Sequence, residues 1–226
     1  MQTPEVYMQT RIHFLEELAR LKHDVLAMGT RVEENLRKAL EALKTQNVEL
    51  AREVKASDGL IDALQIKIED QAAVLIATQQ PVARDLRELV TVFKVTDNLE
   101  RAGDHAVHLA KAAIKLSGEP PFRQIDRLIK MADIDCAMIR GAVDAYLNMD
   151  AVKARLVAAE DDAVDAEHKL LVRETLELMR EHPDQIERAS RLLTTSGFLE
   201  RSGDHMTNIC EAVVFMVEGR HTELND

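Results

Sequence analysis

The chain has 226 residues, 46% hydrophobic and 31% charged, with aromatics at 3% and no tryptophan; this excludes a disordered chain and describes helices packing by aliphatic side chains. A formal charge of −11 argues against a general nucleic-acid binder, which needs a basic face, and suits metal cations or a basic partner patch. Cys136 and Cys210 are too few for a disulfide framework and fit a reduced, cytoplasmic compartment, while the polar segment Met1 to Arg11 and the lack of a membrane-length apolar run leave membrane contact to partners.

From about Met8 to Lys44, apolar residues recur at Ile12, Leu15, Leu18, Leu21, Val25, Met28, Val32, Leu36, Leu40 and Leu43. Three/four spacing of this kind predicts an amphipathic helix of roughly 50 Å. Thr45-Gln46-Asn47 makes a turn, with Asn47 as N-cap of a second helix carrying Leu50, Val54, Ile61, Leu64, Ile68, Ala72, Leu75 and Ile76. Pro81 is expected in the first turn of a third helix, which runs through Leu86, Leu89, Phe93, Leu99, Ala106, Leu109 and Leu116. Ser117-Gly118-Glu119-Pro120-Pro121 is the clearest breaker and divides the chain into 1–118 and 119–226.

The pattern then repeats. A fourth helix spans about Phe122 to Asn148, and Asp150 caps a fifth that runs to Met179. His182-Pro183-Asp184 ends it, Asp184 with Glu187 resembles a capping box, and a sixth helix stops at Gly219. No stretch alternates with period two. The expected fold is all-α, as two tandem pseudo-symmetric three-helix bundles.

Duplication is explicit in one motif. Leu99-Glu100-Arg101-Ala102-Gly103-Asp104-His105 returns as Leu199-Glu200-Arg201-Ser202-Gly203-Asp204-His205. Glu100 and Asp104, like Glu200 and Asp204, stand at i and i+4 on one helix face, where like charges cost a few tenths of a kcal/mol. The second and fifth helices bring Asp58 with Asp62 and Asp161 with Asp165 at the same spacing. If neighbouring helices run antiparallel, each half gathers four carboxylates at one groove. That is an oxygen-only site for a hard cation such as magnesium, calcium, manganese or iron. The alternative is a solvated face laced with ion pairs through Arg101 and Arg201; four pairs in equivalent places favour the cation.

Asp97 and His108 extend the first stripe, whereas Gly197 and Asn208 interrupt the second. Gly103 and Gly203, each costing about 1 kcal/mol against alanine in a helix, imply close backbone approach or room for a ligand. His105 and His205 point about 100° away from the acids and read as surface groups or supports of the ligands. His168, three residues after Asp165, is better spaced but has no counterpart in the first half. Met8, Met28, Met131, Met138 and Met179 read as core filler. No phosphate loop, nucleophile elbow or Cys–His pair is present, and neither Glu100 nor Glu200 has a histidine at i+3, as a ferritin-like di-iron site requires. A metal-dependent enzyme, a di-metal oxidase or phosphohydrolase, is therefore the second reading, and no catalytic residue is assigned.

Gln80-Pro81-Val82-Ala83-Arg84-Asp85-Leu86-Arg87, leading into Asn98-Leu99-Glu100-Arg101-Ala102-Gly103-Asp104-His105, resembles the first-repeat signature of the PhoU family. Glu200-Arg201-Ser202-Gly203-Asp204-His205 with Asn208-Ile209-Cys210-Glu211 resembles the second, and the likeness covers nearly the whole chain. The resemblance implies a cytoplasmic, non-enzymatic regulator of phosphate uptake, a negative modulator between a phosphate-specific ABC transporter ATPase and a sensor histidine kinase. It further implies a homodimer and metal ions (iron, manganese, magnesium or zinc) held by Asp58, Asp62, Glu100, Asp104, Asp161, Asp165, Glu200 and Asp204, with Asp97 outlying. Arg87, in the family's Asp-Leu-Arg segment, is expected to be structural or to bind a partner.

Overall fold

A computed structural model describes residues 4–118 and 120–225. Met1 to Thr3 of the polar N-terminal segment, Glu119 in the breaker and Asp226 lie outside the described residues. The helices are α1 (Pro4–Thr45), α2 (Val48–Ala56), α3 (Asp58–Gln79), α4 (Ala83–Leu116), α5 (Ile125–Asn148), α6 (Ala151–Ala158), α7 (Asp161–Glu181) and α8 (Ile186–Glu218), the last preceded by a 3-10 turn at Pro183–Gln185. No strand occurs among the described residues. The architecture is all-α, built twice on one plan.

Helix ends follow local chemistry. Asn47 Oδ1 accepts the Leu50 N–H at 3.1 Å, and Asp150 Oδ1 accepts the Lys153 N–H at 2.9 Å, so both expected caps form. The residues just before them, Gln46 and Met149, both adopt positive φ, which repeats the same chain reversal in each half. Gly219 ends α8 at φ +74, as its freedom from a Cβ permits. Three expectations fail at the edges. Pro81 lies ahead of α4 rather than inside its first turn. Asp184 falls in the 3-10 turn, and Gln185, the residue before α8, makes no side-chain cap bond. Met8, Ile12 and Leu15 are exposed rather than core, because the inward face of α1 runs through Phe14, Leu18, Leu21 and Val25.

The expected second and fifth helices are each broken in two, at Ser57 and at Ala159–Glu160. Ser57 Oγ donates to the Val54 carbonyl at 2.8 Å and reaches Asn35 Oδ1 at 3.2 Å. Its N–H bonds back to Glu53 and Val54, so the chain turns there. Ser57 keeps αR angles (φ −86, ψ −4), which is why the apolar spacing runs through the break undisturbed. The consequence is functional. Asp58 and Asp161 become the first residues of new helices, where free N–H groups and the helix dipole favour a carboxylate.

A single contiguous core holds residues from both halves, with Leu21, Met28, Leu36, Leu99, Leu128, Met131 and Tyr146 fully buried. Helix α1 packs on α4 and α5, and α4 lies along α8. The α4–α8 pair runs antiparallel. Arg87 Nε donates to the Met216 carbonyl at 3.2 Å near one end, and His205 pairs with Asn98 nearer the middle. Arg87 thus satisfies a free carbonyl at the C-terminal end of α8, which gives this residue a structural role.

Candidate metal-binding acidic furrows

Helices α3 and α4 pack together in the first half, and α7 and α8 do so in the second. Each contact carries the four acids expected there. In the first half, burial and the charges of Asp104 and Asp62 push Asp58 and Glu100 above the ordinary carboxylate range. In the second, burial and then Asp204 and Asp165 push Asp161 up to about 6. Burial followed by the Asp204 charge raises Glu200, and burial followed by the Asp165 charge raises Asp204. Each half therefore collects carboxylates that repel one another across two helices, an arrangement a hard cation relieves.

Ion pairing relieves it only at Asp165, on the rim of the second half. Arg101 Nε donates to Asp97 at 3.2 Å, both side chains being half exposed, and no ion pair among the described residues joins Arg101 or Arg201 to the motif acids. Lys169 pairs with Asp165 at 2.9 Å on the outer rim. Among the described residues, however, no three His, Cys, Asp or Glu side chains form a group that could hold a metal ion as they stand. Rotation of exposed side chains such as Asp62 and Asp204 is what closing a ligand set requires.

The outlying candidates separate. Asp97, tied to Arg101, lines a different hollow of about 880 Å³ between α4, α8 and the C-terminal tail. His108 Nδ1 donates to the Asp104 carbonyl at 2.8 Å, and its ring stacks on Phe198 at 4.1 Å, so it braces the α4–α8 crossing. His105 and His205 stack on each other there, 5.5 Å apart. His168 stands close enough to Glu200 for its charge to oppose the rise in Glu200.

The twin glycines do different work. A Cβ on Gly103 would meet Ile61 Cδ1 at 2.9 Å and Val32 Cγ2 at 3.8 Å, so this glycine admits apolar packing. A Cβ on Gly203 would lie 2.1 Å from Asp161 Oδ1 and 3.7 Å from Asp135 Oδ1. Here the missing side chain makes room for carboxylates. Asp161 Oδ2 also accepts from the Asn225 side-chain amide, which the C-terminal tail brings across α8.

Asp135 was not among the expected site residues. It is fully buried, with neither carboxylate oxygen hydrogen-bonded, and burial followed by the charge of Asp161 raises it well above the usual range. Its signal lay in the α5 pattern: Leu128, Ala132, Ile139 and Val143 mark an inward stripe, and Asp135 falls on it. An acid on an apolar stripe is more informative than one on a polar face. Orphaned buried oxygens and a glycine-lined recess thus coincide in the second half. Cys136 and Cys210 are buried, and burial holds each thiol up at about 12, which removes them as nucleophiles.

Comparison with known proteins agrees with this architecture. The PhoU domain profile matches twice, over residues 25–113 and 128–213. A phosphate-specific transport system accessory protein PhoU homolog of Clostridium acetobutylicum is 36% identical over 218 residues, 96% of this chain and 100% of that protein. The homolog of Aquifex aeolicus is 38% identical over 204 residues, 90% of this chain and 92% of its own. The crystal structure of PhoU from Pseudomonas aeruginosa superposes with a TM-score of 0.87 at 35% identity, over 92% of this chain and 100% of that one. The phosphate transport system regulatory protein PhoU of Streptococcus pneumoniae gives 0.85 at 31%, over 92% and 99%. With the doubled profile covering most of its length and a matching helical plan, this chain belongs to the PhoU domain family.

Proposed function

We propose that this protein is an accessory regulator of a phosphate-specific transport system, restraining uptake and starvation signalling when phosphate is ample. It acts by contact rather than catalysis, between the ATPase of the ABC transporter and a sensor histidine kinase, in the cytoplasm and as a homodimer. Its near full-length likeness to proteins named as accessory and regulatory components of that system supports the role. No helix among the described residues is long and apolar enough to cross a membrane, in keeping with membrane contact made only through partners.

The observation that carries the mechanism is the doubled furrow of mutually repelling acids. Asp58, Asp62, Glu100 and Asp104 in one half, and Asp161, Asp165, Glu200 and Asp204 in the other, are the residues that would hold the ions. Iron, manganese, magnesium or zinc would supply the positive charge, with the oxygen-only donor set favouring the harder ions. Occupancy alters the charge of each face and hence its affinity for a partner, a local electrostatic change with a distant readout.

Deleting the gene and restoring it tests the role. Loss of the protein is expected to raise phosphate uptake and starvation-gene expression at high phosphate. Wild-type protein restores restraint, and the Glu100→Gln/Glu200→Gln variant restores it incompletely. Unaltered uptake and expression on deletion would overturn the assignment.

A further inference from the structure

The two halves are not equivalent at depth. The offset that relates Asn47 to Asp150 and Asp58 to Asp161 also relates Val32 to Asp135. The coordinates agree: a Cβ built on Gly103 sees Val32, whereas one built on Gly203 sees Asp135 at nearly the same distance. Val32 and Asp135 are both fully buried. One half thus places a carboxylate where the other places a methyl-bearing side chain.

A buried carboxylate without a hydrogen bond is costly and calls for a partner. Neither oxygen of Asp135 has one, and the charge that acts on it comes from Asp161, another acid. The recess between them is lined by Gly203. Asp161 itself is only 4% exposed, and the tail residue Asn225 donates to its other oxygen. Two buried acids facing one glycine-lined recess are what an inner cation position needs.

We propose that Asp135 is an additional ligand of the second acidic furrow, holding a hard divalent cation together with Asp161 at a depth the first furrow does not reach. The inference rests on the cation reading of the furrows proposed above. It makes the two halves bind unequally, with the deeper site the tighter because an extra anionic oxygen donor and exclusion of water both strengthen coordination. An ion there ties α5 to α7 inside the core, so its binding also stabilises the fold.

The test is calorimetric titration of metal-stripped full-length protein with Mn²⁺, paired with thermal unfolding. Asp135→Val installs the residue of the other half, and Asp135→Asn keeps the shape. Glu100→Gln/Asp104→Asn removes the first furrow as a control. Wild-type protein is expected to show two classes of site. Either Asp135 variant should weaken the tighter class about tenfold or more and shrink the rise in Tm on adding Mn²⁺. The control should lose the weaker class alone. If both Asp135 variants bind at two classes with unchanged affinity, Asp135 is not a ligand although the furrows bind cations. If wild-type protein takes up no Mn²⁺, the inference and the cation reading fall together.

Discussion

The imidazoles of His105 and His205 stack with ring centroids 5.5 Å apart and planes 23° apart, so the two copies of one motif meet where α4 crosses α8. Neither ring nitrogen of His105 has a hydrogen-bond partner. Burial, followed by the neighbouring His205 and His108, holds His105 down at about 4. The folded protein therefore binds fewer protons here than the unfolded chain between about pH 4 and the ordinary histidine value. The stability this provides is complete above that value and is lost as pH falls through the window. Replacing His105 with Phe, which keeps the ring, should remove roughly 1 kcal/mol of acid-induced destabilisation after allowing for solvent screening. Urea unfolding at pH 7 and pH 5 for wild type and variant measures it.

Asp161 has the opposite sign in the same range. Its carboxyl is held up at about 6 by burial and by Asp204 and Asp165, so the folded state keeps a proton that the unfolded chain releases nearer 4. Its contribution is greatest below pH 4 and disappears as pH rises through 6. In metal-free protein, Asp161→Asn should become steadily more stable relative to wild type between pH 4 and pH 7. Thermal unfolding across that range, with a chelator present, reads the crossing slopes.

Gly103 and Gly203 stand in closely matching sequence settings and should respond differently to the same substitution. In Gly103→Ala the new methyl meets the flexible end of Ile61, and the gain in helix propensity of about 1 kcal/mol offsets the adjustment. In Gly203→Ala it lands on Asp161 Oδ1, so the carboxylate must swing away from Asn225 and from the recess. Melting temperature is expected to hold in the first variant. Mn²⁺ affinity of the second half should drop about tenfold in the second, as read by calorimetry on both proteins.

Much of this was legible in the sequence because helices announce themselves by period and duplication by repetition. The caps at Asn47 and Asp150 and the stop at Gly219 are local chemistry, set by side chains within a turn of their targets. The i, i+4 pairing of the eight acids is legible in the sequence, since such residues share a helix face whatever the tertiary context. The breaks at Ser57 and Ala159–Glu160 were hidden because Ser57 turns the chain without leaving αR. Asp135 was passed over because its importance comes from what surrounds it, namely Gly203 and Asp161 on other helices. The two histidines, expected at the surface or behind the ligands, are half-buried and stacked instead, because their meeting depends on how α4 crosses α8, which no single helix specifies.

Anomalous diffraction from crystals of the wild-type protein equilibrated with Mn²⁺ tests the cation furrows most directly. A peak is expected in each furrow, with the one in the second half about 2–2.5 Å from oxygens of Asp161 and Asp135. Maps with no peak near either group of acids, and the carboxylates bonded only to water and to rim residues such as Lys169, would contradict the cation reading.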